Sequence, residues 1–109
     1  MPGTFIGGSL AQGNLATTKT TLYTVPAVTV AFIKSLTLFN DNAAEQTVLL
    51  FLNTGGGSRK WRRFVLAQNE SAEAIEPGGQ IILKAADIIE AQTTTASAVP
   101  FTLTGVLET

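Results

Sequence analysis

The chain has 109 residues, a formal net charge of −1, no cysteine and no histidine. This composition excludes disulfide frameworks, thiolate or imidazole metal sites, and nucleophiles activated by histidine. The eight acidic residues could in principle form a carboxylate pair, but most fall in turns or at strand ends, so we expect no enzyme, cofactor or metal.

The first predicted element is an extended N-terminal arm over residues 1–14, "MPGTFIGGSLAQGN". Glycine and small polar residues dominate it, and an arm of this length reaches well beyond a small domain when extended. The isolated apolar residues of the arm are candidate anchors that contact a neighbouring subunit; they are Phe5, Ile6 and Leu10. The alternative is a frayed, unstructured terminus. No window approaches the roughly 20 apolar residues of a membrane span, so we expect no membrane association.

Residues 15–109 are predicted to form a single all-β domain. Short segments of alternating or β-branched residues recur between turn signals at intervals of roughly 8–12 residues, which is typical of an antiparallel β-sandwich. We therefore expect a jelly-roll-like sandwich of seven or eight short strands. The best helix candidate is "SAEAIE" (71–76), which is too short to matter.

One predicted strand, "QTVLLFLNT" (46–54), is apolar on both faces. Such a strand is normally covered on both sides. Leu49 and Phe51 share one of these faces and are candidates for the apolar core of an oligomer interface. Association is also favoured by the composition, which is 45% hydrophobic and only 14% charged.

The segment "SRKWRR" (58–63) holds four of the seven basic residues and the only tryptophan. Strict strand alternation would split its charge over both faces, whereas a nucleic-acid platform needs cations and aromatic rings on one surface of a basic domain. We therefore expect no nucleic acid. The remaining interpretations are an edge strand protected by charge and an interface strand, with Arg59, Trp61, Arg62 and Arg63 as the contact candidates.

Two stretches resemble the small all-β virion proteins of tailed bacteriophages. The first is "TLYTVPAVTVAFIKSLTLFN" with "TVLLFL" (21–40 and 47–52), and the second is "IEPGGQIILKAADIIEAQTTTASAVPFTLTGVLE" (75–108). The chain departs from the family's G-D turn, since Ala86 precedes Asp87. A turn with positive φ is unfavourable for alanine, so we expect a different turn type there.

The resemblance implies a capsid decoration or cement protein on the surface of a virion. Such a protein would bind the major capsid protein, form a homo-oligomer (a trimer or dimer), and bridge and stabilise capsomers through many weak contacts. The alternative is a head-fibre or tail-fibre component that contacts a receptor or carbohydrate.

Overall fold

The computed structural model describes residues 5–55, 57–75 and 78–109, with side chains from residue 8 onward. Over these ranges the chain forms nine β-strands and no helix, and therefore no helix that could cross a membrane. The strands are β1 (Phe5–Asn14), β2 (Thr20–Thr24), β3 (Val30–Phe39), β4 (Gln46–Asn53), β5 (Ser58–Leu66), β6 (Ser71–Glu73), β7 (Ile81–Leu83), β8 (Ile88–Gln92) and β9 (Pro100–Glu108).

The strands form two antiparallel sheets. The first sheet has the order β1-β9-β3-β6, with β7 also paired to β3, and the second has the order β2-β8-β4-β5. Because β6 and β7 share one position beside β3, the nine strands fill eight positions. The all-β, sandwich-type fold predicted from the sequence is confirmed.

The core lies between the sheets and follows from the alternation of apolar residues along each strand. On β3, Ala31 and Ile33 are fully buried, and the buried set then resumes at Leu36 and Leu38. The step of three residues coincides with a register shift against β9 between Ile33 and Ser35. A bulge of this kind lets one strand keep its apolar side chains on the core face despite an extra residue.

Two segments differ from their sequence predictions. The sequence predicts an arm over residues 1–14; residues 1–4 lie outside the described residues, and the structure places Phe5–Asn14 in the sheet as β1, paired with β9. The weak apolar pattern of this segment is that of an edge strand, where backbone pairing rather than side-chain burial holds the chain. The helix candidate at 71–76 begins instead as strand β6, because Ser71–Glu73 pairs with β3.

The turn between β7 and β8 corrects another expectation. Ala86 has a φ of 72°, so the turn keeps positive φ without glycine. The backbone N–H of Asp87 donates to the carbonyl of Lys84 at 3.0 Å, and the Asp87 carboxylate accepts from the Lys84 N–H at 2.8 Å. In addition, Ala86 donates to the Val25 carbonyl at 3.0 Å. These bonds hold the turn in a conformation that alanine alone disfavours.

Candidate interaction surface on strand β5

The β4–β5 hairpin presents the basic segment at the edge of the second sheet. Gly55 and Gly57 have φ values of 95° and 103°, which glycine adopts readily. The side chain of Asn53 accepts a hydrogen bond from the Gly55 N–H at 3.3 Å. This turn brings Ser58–Leu66 back along β4 as an edge strand.

A bulge at Trp61 decides which face each basic residue occupies. The register pairs Leu50 with Arg62 and Phe51 with Lys60, so Trp61 is the extra residue. Strict alternation would place Lys60 with Arg62, but the bulge moves Lys60 to the outer face, where Leu49 pairs with Arg63. The basic residues are still divided between two faces, as the sequence predicted. The structure, however, places Lys60 on the same face as Arg63 and not on that of Arg62.

The bulge leaves an open groove of about 330 Å³ on the outside of the hairpin. It is lined by Thr47, Leu49, Lys60, Trp61, Arg62 and Arg63. The tryptophan is half-buried and also packs against the core, which fixes its ring. The groove therefore combines an apolar wall with cationic side chains, a composition typical of protein contact surfaces.

The four cations of β5 differ in how far their side chains are exposed, and three of them, Lys60, Arg62 and Arg63, line the groove. Arg59, Lys60 and Arg63 are exposed, whereas Arg62 is half-buried. The Arg62 guanidinium lies over the Phe64 ring, 5.2 Å from the ring centroid, a cation–π contact that favours one orientation. The three exposed side chains are available to an anionic or hydrogen-bonding partner.

Beyond the groove, the outer face of the second sheet is partly covered by the chain itself. Phe51 is only 8% exposed, and the Lys19 ammonium group lies 5.1 Å from its ring centroid. Phe51 pairs with Glu90 on β8, and one carboxylate oxygen of Glu90 is buried with no hydrogen-bond partner in the described part of the chain. Leu49 remains half-exposed and is the more accessible apolar residue of the pair predicted for an interface.

The structure describes the side chain of only one of the three anchor residues predicted in the N-terminal segment. The side chains of Phe5 and Ile6 lie outside the described residues. Leu10 is half-buried and packs against the protein's own core. The register of β1 against β9 shifts at this residue, between Ser9 and Ala11. Leu10 thus contributes to the protein's own core, and its contact with a neighbouring subunit stays a prediction.

The structure brings Leu49, Trp61, Arg62 and Arg63 together around one groove, and it adds Thr47 and Lys60. Thr47 could have been found from strand alternation, because it lies two residues before Leu49. Lys60 could not, because its face depends on the bulge. Within the described ranges, no group of three or more acidic residues is arranged to hold a metal ion.

Comparisons with known proteins give a likeness of fold. No protein-family model matches the chain, and no curated protein matches it. A solved structure of Bacillus endospore appendages, described as a novel family of disulfide-linked pili, is similar with a TM-score of 0.54. The likeness covers 98% of this chain and 89% of the other at 14% sequence identity, which shows a shared fold alone.

These findings overturn the function predicted from the sequence. The capsid decoration or cement role is wrong, because the solved structure that shares the fold is a pilus protein, and neither the family models nor the curated proteins supply a virion match. The fibre alternative belonged to the same virion prediction and is withdrawn with it.

Proposed function

We propose that this chain is the structural subunit of an extracellular protein fibre whose copies are joined by noncovalent contacts. The observation that carries the proposal is the long, open edge of β1, in a fold shared with a pilus protein.

The β1 edge is long and carries neither a charged residue nor proline, and the register shift at Leu10 is the one feature along it that opposes edge-to-edge association. It is a ten-residue strand at the end of its sheet, and the first charged residue of the chain is Lys19. Natural proteins protect such edges with charges, proline or very short strands. An uncharged edge of this length is a template for another strand.

The fold likeness supports the same role. The pilus protein is described as disulfide-linked, whereas these 109 residues contain no cysteine. A fibre built from them is therefore held by backbone pairing and side-chain contacts. The strength of the contact between successive copies therefore sets the concentration at which the fibre assembles.

The test is assembly of the purified full chain, followed by electron microscopy and sedimentation over a range of concentrations. We expect filaments above a critical concentration, unchanged by a thiol reductant and dissolved by guanidinium. The paired treatments are the control, because only a noncovalent polymer gives that combination. A monomer or a closed small oligomer at every concentration would contradict the proposal.

A further inference from the structure

We propose that the polymer contact joins strand β1 of one copy to strand β5 of the next. This inference rests on the proposed function and specifies its interface. The partner surface is thus a second copy of this chain, presented through its basic edge strand.

The two edges lie on opposite sides of the sandwich. In the first sheet, β1 is at one end and β6 at the other, and in the second sheet β2 and β5 are at the two ends. β1 lies beside β2, whereas β5 lies beside β6. A contact between β1 and β5 therefore leaves a free β5 and a free β1 at the two ends of every dimer, so that growth can continue.

Strand length favours this pair over the other edges. β1 has ten residues and β5 has nine. The competing edge strands are β2 with five residues and β6 and β7 with three each. Among pairings of two different edges, β1 with β5 gives the longest ladder, with a register shift in each strand, at Leu10 and at Trp61.

Charge excludes the symmetric use of β5. Pairing β5 with itself would set four cations against four, and like charges opposite one another destabilise a strand pair. Pairing β1 with itself meets no charge but closes at a dimer. The uncharged β1 against the basic β5 avoids the repulsion and gives a heterologous contact, which propagates into a filament when the rotation between successive copies does not close a ring.

The groove beside β5 provides a surface against which side chains of the incoming strand can pack. Leu49 and Trp61 lie on the outer side of the hairpin next to the open edge. An added strand places alternate side chains on that same side. The half-exposed apolar surface of the groove would then be covered in the polymer.

Cysteine cross-linking tests the pairing directly, because the chain has no cysteine of its own. One population carries Gln12→Cys on β1, and another carries Arg59→Cys or Arg63→Cys on β5. A short thiol-reactive cross-linker should give covalent dimers in the mixture only. A copy that carries both substitutions should give a ladder of higher multimers.

The outcomes of this experiment distinguish a failure of the proposed β1–β5 contact from a failure of the proposed fibre function. Filaments with β1–β1 links, or with no β1–β5 link for either β5 variant, would overturn the inference and leave the proposed function standing. No filament from the unsubstituted chain would overturn both.

The sign of an added charge supplies a second readout. Gln12→Lys places a cation opposite the basic strand and should raise the critical concentration several-fold, whereas Gln12→Glu should leave it unchanged or lower it. Gln68→Lys is the matched control, since Gln68 is also exposed but lies in the turn after β5. Equal effects of Gln12→Lys and Gln12→Glu would contradict a partner strand with positive charge.

Discussion

Gly105 lies on β9 between two neighbouring strands, paired with Gly8 on β1 and with Ile33 on β3. A Cβ at this position would lie 2.3 Å from the backbone carbonyl oxygen of Phe32. Backbone atoms cannot withdraw as the end of a flexible side chain can. The requirement for glycine here thus arises from packing between strands.

We expect Gly105→Ala to lower the free energy of unfolding by about 1–3 kcal/mol, the usual cost of forcing atoms into a packed site. Gly13→Ala is the matched control, since its Cβ would meet the Phe101 ring at an ordinary 3.5 Å. Guanidinium denaturation of both variants measures the difference. Equal stabilities would show that the strands separate more easily than the geometry indicates.

Tyr23 gives a prediction for alkaline pH. Its hydroxyl is buried without a hydrogen-bond partner in the described part of the chain, and burial raises its pKa above the ordinary value of 10.0. Above pH 10 the unfolded chain releases this proton while the folded chain retains it. Stability is therefore complete below that pH and falls as pH rises towards the folded-state pKa.

Tyr23→Phe should remove this component of the pH dependence. At neutral pH it should be neutral or stabilising by up to about 1 kcal/mol, because it removes a buried hydroxyl that makes no hydrogen bond. Denaturation curves of both proteins from neutral to alkaline pH test this. Lysines titrate in the same range, so the difference between the two proteins is the relevant quantity. An unchanged difference across that range would contradict the assignment.

At the scale of elements, the β7–β8 turn shows a local preference overridden by its surroundings. Ala86 has positive φ because hydrogen bonds to Val25 and within the turn hold it there. The sequence predicted the position of this turn but not its conformation, because the bond from Ala86 to Val25 joins segments about sixty residues apart.

Ala86→Gly should raise the free energy of unfolding by about 0.5–1 kcal/mol, because relief of the left-handed conformation exceeds the extra flexibility of an unfolded glycine. Ala85→Gly is the control: Ala85 is not among the residues with positive φ, so the change should destabilise. Thermal unfolding of the two variants compares them. A loss of stability in Ala86→Gly would show that the turn imposes no strain on alanine.

The β5 bulge is a second element whose effect alternation could not predict. The candidate surface was found in part from composition, because Trp61 and its neighbouring arginines stand out in a chain with little charge. The grouping around the groove depends on one extra residue in the register with β4. A slip of one residue reverses the face of every side chain beyond it.

At the scale of the whole molecule, the sandwich leaves β1 and β5 as its two long open edges, on opposite sides. The basic residues of β5 already favour an edge strand as one of two interpretations, whereas the residues of β1 do not predict a strand in the sheet. β1 contains so few apolar residues that its sequence predicts an arm, whereas its backbone pairs with β9 on both sides of the shift at Leu10.

The sequence by itself determined the all-β class and the approximate position of most strands. Its lack of cysteine and histidine also excluded disulfide and histidine chemistry. These are properties of composition and of a two-residue period, which neighbouring residues are sufficient to set. Only the tertiary structure decided the strand order, the bulge at Trp61, the positive φ of Ala86 and the close approach at Gly105. Each of these depends on contacts between segments far apart in the chain, and such contacts have no local pattern in the sequence.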